Sequence, residues 1–243
     1  MTPKAINLRQ LNLPQGMPLS IEDLGRAGIS SALAHEYVTT GWLVRLGRGV
    51  FMFTGDQLRR DPSIQFLARS LPNLHVAGKT ALAWQGFVQN LAPREVICLH
   101  GLKKATLPDW FQERFPARYH AGRLFDEELP EDQGLATLPE SPDGPLVSAP
   151  ERALLEMLSE VGVHQEADEA RGIMESLRSP RMTLLGELLR HCQKVKAARL
   201  CVVWAEELGL PWAGAAREAA TGRLGQGRWI RRLKDGSLLI VKS

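Results

Sequence analysis

The stretch from Ser20 to Phe53, SIEDLGRAGISSALAHEYVTTGWLVRLGRGVFMF, constrains the fold more than any other part of the chain. Ser20 and Asp23 stand at capping-box spacing, with Asp in place of the usual Glu or Gln, and Ile21 and Leu24 give a narrow apolar stripe. Gly28 then supplies a corner that a residue with a Cβ would find costly. Ser30 can cap a second helix, which stops at Gly41. After it, Trp42 to Leu46 alternates like a strand, Gly47-Arg48-Gly49 is a turn, and Val50, Phe51 and Phe53 form the returning strand. Helix, glycine corner, helix, then a hairpin with Arg at its tip is the plan of a winged helix-turn-helix.

That plan has a mechanical consequence. If Ile29, Leu33 and Tyr37 face the core, then Ser31, Ala34, His35 and Val38 lie on the opposite side of the second helix. Short side chains at its N-terminal end, Ser30 and Ser31 included, would let the helix approach base edges in a major groove. Arg45 and Arg48 in the wing would then sit near the phosphate backbone or the minor groove and fix register. The DNA-contacting set read this way is Ser30, Ser31, Ala34, His35, Arg45 and Arg48. The helix carries no Arg or Lys of its own, so a dimerisation or protein-docking module is the competing use of the same plan.

Around this element the expected class is α+β. An N-terminal winged helix-turn-helix over residues 1–58 is followed by a larger mixed α/β domain over residues 59–243. Ile6 to Leu13 reads as the first helix of the winged domain, and Asp61-Pro62 as the start of the next element, with Asp61 as cap. Short strands are expected at 74–76, 94–99, 118–120 and 135–138, with helices opening at Gly78 and spanning 107–115. Ser148 and Glu151 have capping-box spacing ahead of ALLEML, which predicts a helix there. Helices over about 164–178, 182–193 and 195–208 form a helical block, and residues 223–241 read as a closing hairpin.

The chemistry that spacing can reveal is sparse. Gly78-Lys79-Thr80 lacks the preceding Gly of a phosphate loop, since position 73 is Asn. The six histidines never pair at metal-ligand spacing with one another or with Cys, so no metal and no cofactor is expected. No Gly-x-Ser-x-Gly elbow occurs, and Glu95 has no Lys in register for a nuclease site. The chain is therefore expected to be no enzyme. Three cysteines, an odd number without a Cys-x-x-Cys pair, fit a reduced cytoplasm. No apolar run approaches the roughly 20 residues of a membrane span. Net charge is only +3, yet residues 217–243 hold seven bases against two acids, which suits a polyanion partner. The acids between Asp126 and Asp143 read as a solvated face.

Several phrases together resemble the AbiEi family, the antitoxins of type IV toxin–antitoxin systems. They are GISSALAHEYVTTGWLVRLGRGVF, HVAGKTALAWQG, VSAPERALLEML, KAARLCVVWAEELGLPW and TGRLGQGRWIRRLKDG, in that order between Gly28 and Gly236, within a resemblance that runs from about residue 6 to 241. The resemblance implies a transcriptional autoregulator, a repressor whose winged domain binds inverted repeats of double-stranded promoter DNA, as a possible homodimer. It also implies that the larger domain antagonises a nucleotidyltransferase-like toxin without a stable complex. Two other readings stand beside it: a nuclease-like enzyme with an unrecognised metal site, and a docking module that binds no DNA.

Overall fold

The capping signals at Ser20 are realised in full. Ser20 Oγ accepts from Asp23 N at 3.0 Å, and Asp23 Oδ2 accepts from Ser20 N at 2.9 Å. In the computed structural model, which describes residues 13–89, 95–232, 236 and 238–242, this box starts α1 (Ile21–Arg26). The helix expected at Ile6 to Leu13 lies almost wholly outside the described residues. Gly28 turns the corner with φ +83°, and Ser30 Oγ accepts from Leu33 N at 3.2 Å to start α2 (Ser31–Thr39).

The chain divides into two compact units, Met1–Ser70 with Thr106–Pro116 and Leu71–Ala105 with Ala117–Ser243. In the first unit β1 (Leu19–Ser20), β2 (Leu43–Gly47) and β3 (Val50–Phe53) form an antiparallel sheet ordered β1-β3-β2. The β1 pairing was not anticipated, because two residues are too short for any alternation to register. Leu19, Leu24, Ile29, Ala34, Tyr37, Leu43 and Phe51 make one core, with Leu33, Val38 and Phe53 packed against it. α3 (Arg60–Ala68) belongs to this unit beyond residue 58. It starts two residues earlier than expected, so Asp61 sits in its first turn, bonded to Arg60 Nε at 2.7 Å, rather than capping it.

The second unit is built on a five-stranded mixed sheet. Its strands are β4 (His75–Val76), β5 (Ile97–Gly101), β6 (Ala117–Ala121), β7 (Leu135–Ala136) and β8 (Val147–Ser148), ordered β6-β5-β4-β8-β7. β5 runs parallel to β6 and β4 parallel to β8, and the remaining pairs are antiparallel. α4 (Gly78–Trp84) follows β4 directly, whereas α5 (Asp109–Arg114) clusters with the first unit. There Trp110 stacks edge-on against Phe66 and Phe111, so this aromatic patch is core packing.

The helical block comprises α6 (Pro150–Glu160), α7 (Ala167–Ser176), α8 (Met182–His191), α9 (Val195–Glu207) and α10 (Ala213–Ala219). A hairpin of β9 (Arg228–Arg232) and β10 (Leu238–Lys242) follows it. α10 was not foreseen, since AGAAREA has no apolar stripe wider than alanine methyls. The start of α6 is also a correction. Ala149, not Ser148, is the N-cap, and it has no side-chain bond. The Ser148 hydroxyl donates instead to Glu156, and Glu151 takes Arg181 through its backbone N at 2.7 Å and Nη2 at 2.9 Å. Among the described residues no helix is long and apolar enough to cross a membrane.

Candidate nucleic-acid interface

The face that α2 turns outward follows from which of its residues the core claims. Ala34 and Tyr37 are buried and Leu33 and Val38 half-buried, so the exposed stripe is Ser31, Ala32, His35, Glu36 and Thr39. Ile29, Leu33 and Tyr37 turn inward as expected, and two of the four positions expected on the outer side are corrected. Ala34 is 0% exposed and packs in the core, so it cannot touch a ligand outside, and Val38 leans inward as well. The reason is steric. A methyl at position 34 is small enough to let α2 settle close against its neighbours, so the core takes the face between Leu33 and Tyr37.

Ser30, Ser31 and His35 all remain exposed, at the start of the helix and one turn on. The first turn of α2 contains no acid, so the positive end of its dipole meets no fixed negative side chain within the helix. Thr39 Oγ1 donates back to His35 O at 3.1 Å and Thr40 Oγ1 to Glu36 O at 2.9 Å, which ties the last turn. Gly41, with φ +78°, then releases the chain into β2.

The wing is the β2–β3 hairpin. Its register slips between Arg45 and Gly47, a bulge that sharpens the twist near the tip. Arg45 and Arg48 are both exposed, and Arg45 Nε donates to Gly47 O at 3.2 Å, holding that side chain along the wing. Neither has a carboxylate partner among the described residues. Arg26 and Arg69, by contrast, both reach Asp23, at 2.6 and 2.7 Å. Burial alone would raise the Asp23 carboxyl, but its bonds from Ser20 and Arg69 hold it below the ordinary value. The charge left over on this unit's surface thus includes the wing arginines.

Two exposed apolar side chains beside them escaped the sequence reading, Trp42 at 53% and Val44 at 38%. With Leu43 buried, strand alternation places 42 and 44 on the outer face, and that period-two signal could have found them.

The second unit contains a polar centre that spacing could not disclose. Glu156, on α6, is 5% exposed and accepts four hydrogen bonds. His75 Nε2 lies 3.0 Å from Oε1 and Arg152 Nε 3.0 Å, while Gly78 N lies 3.0 Å and Ser148 Oγ 2.8 Å from Oε2. Burial alone would raise this carboxyl. The His75 charge and hydrogen bond, then Arg152, outweigh it and hold the group far below the usual carboxylate range. His75 Nδ1 is 2.6 Å from Asn73 O, and Arg152 Nη1 donates to Glu131 O and Gln133 O. Burial pushes the neighbouring His100 down to about 4. His75, His100 and Glu156 could in principle gather round a metal ion. The donor set argues against it, because every carboxylate lone pair is spoken for and a guanidinium stands beside Oε1.

Comparison with known proteins agrees with the fold and assigns the family. The crystal structure of the RV2827C protein from Mycobacterium tuberculosis matches with a TM-score of 0.55 at 17% identity, covering 84% of this chain and 76% of that one. No curated protein matches. The family model for the transcriptional regulator, AbiEi antitoxin, of type IV toxin–antitoxin systems matches residues 94–241, and its N-terminal domain model matches residues 2–93. With both halves matched, the chain belongs to the AbiEi antitoxin family of transcriptional regulators.

Proposed function

We propose that the first unit binds double-stranded DNA with the exposed stripe of α2 in a major groove. Ser30, Ser31 and His35 contact bases or adjacent phosphates, and Arg45 and Arg48 grip the backbone from the wing. The observation that carries this reading is the pairing of an acid-free α2 first turn with two arginines that no carboxylate among the described residues engages. In this reading the protein represses its own promoter at inverted repeats, as a dimer on DNA with one copy per half-site. Its larger unit antagonises a nucleotidyltransferase-like toxin, and the chain itself performs no reaction.

The test is fluorescence anisotropy with a duplex from the protein's own upstream region, across a salt series. Removing one side chain that neutralises a phosphate lowers the slope of log affinity against log salt by about 0.9. Arg45→Ala with Arg48→Ala should therefore reduce the slope by roughly 2 and weaken binding at every sequence. An unchanged slope refutes the wing contact.

A docking role has one observation in its favour, the exposed apolar side chains of Trp42 and Val44. If the duplex does not bind at low salt while Trp42→Ala abolishes self-association, docking replaces DNA recognition.

A further inference from the structure

The second unit encloses a cavity of about 200 Å³. Its walls are β5, β6 and the C-terminal end of α6, with His164 and Lys194 beside them. The four cations that line it differ in what they already hold. Lys79 is taken by Glu169 at 2.9 Å and Arg123 by Glu131 at 2.8 Å. Among the described residues Arg118 makes one long bond, 3.4 Å from Nη1 to His164 O, which leaves most of its N–H groups unspent there. Neither Arg118 nor Lys194 has a carboxylate partner among the described residues.

The lining acids are less available. Glu156 is saturated by its four donors, and Glu160 stands 3.6 Å from His120 Nδ1. The His120 and His164 rings lie 5.6 Å apart, tilted by 53°. His100, also in the lining, keeps a buried Nδ1 with no hydrogen-bond partner among the described residues. What remains after internal pairing is two cations against one carboxylate, together with imidazoles that can donate. A concave site with surplus N–H donors and few acceptors recognises anions, and oxyanions with several acceptor oxygens best. Size limits the ligand. A cavity of about 150 Å³ admits benzene, so this one admits a phosphate group and a few further atoms.

We infer that this cavity binds a small phosphate monoester, gripped by Arg118 and Lys194 and hydrogen-bonded by His120 and His164. The inference is independent of DNA binding by the first unit, since every residue it uses lies in the second.

Isothermal titration of the full chain with glycerol phosphate, inorganic phosphate and sulfate tests it. Glycerol phosphate is expected to saturate with a Kd of roughly 1 mM or tighter. Arg118→Ala with Lys194→Ala should weaken it about tenfold or more while leaving the thermal melt in place. If that variant does not fold, the unaltered protein still decides the matter. Proton NMR of the imidazoles, assigned with His120→Gln and His164→Gln, should show both signals moving as glycerol phosphate is added. No saturation by roughly 10 mM, affinity indifferent to the double substitution, or unmoved imidazole signals each overturn the site. Inorganic phosphate binding alone, without the ester, overturns the monoester assignment in favour of the free ion.

Discussion

Replacing Glu156 with Gln keeps the shape of the side chain and removes its charge. Four donors now meet Glu156. A Gln carbonyl oxygen can serve two of them, and the Ser148 hydroxyl can rotate to accept from the new amide. At least one donor is then left facing an N–H, and Arg152, 6% exposed, loses the anion beside it. Removing one partner of a buried charged pair typically costs about 3–5 kcal/mol. Each 1 kcal/mol shifts the melting point of a domain of this size by about 2–4 °C, so Glu156→Gln should melt roughly 6–20 °C lower. Glu169→Gln breaks a half-exposed pair with Lys79 and should cost less than about 1 kcal/mol. Thermal unfolding followed by circular dichroism measures both. The folded Glu156 carboxyl lies below its unfolded value, so its contribution is present above the ordinary carboxylate range and is lost as pH falls. The gap between wild type and Glu156→Gln should accordingly narrow in acid. A variant within about 2 °C of wild type at neutral pH would refute the view that this carboxylate organises the second unit.

Three further outcomes follow from the same geometry. His100 is held at about 4 by burial, below its ordinary 6.5, so unfolding takes up a proton between those values and stability falls as pH drops through that window; His100→Gln should flatten this limb in urea titrations. Ala34→Leu should cost about 1–3 kcal/mol by overpacking beneath α2, whereas His35→Ala should leave stability within about 0.5 kcal/mol and weaken DNA binding. Ser20→Ala removes one half of the capping box and should lower stability by about 1 kcal/mol in chemical denaturation.

The first unit was legible because its signals are local. A cap at Ser20, left-handed turns at Gly28 and Gly41 and an alternating hairpin each act within a few residues, and all appear where the sequence put them. The breadth of the buried face of α2 was the weak point: Leu33, Ala34, Tyr37 and Val38 all lean inward, and pattern alone could not tell that Ala34 and Val38 join it. The polar centre of the second unit was invisible for the opposite reason. His75 reaches Glu156 only through sheet pairing that brings together residues 81 apart in the chain, and Ser148, eight residues before Glu156, joins them from the end of β8. At Ser148 the spacing misled outright, because a serine three residues before a glutamate caps a helix only if nothing stronger recruits either side chain. Here Glu156 and Arg181 do.

The bend at Gly78, where a strand passes into a helix, already holds an acid from its own chain. An incoming nucleotide would have to evict that acid and strand a guanidinium in the interior. The chain thus carries a resident occupant that shuts this bend to nucleotide phosphates, although its outline invites them.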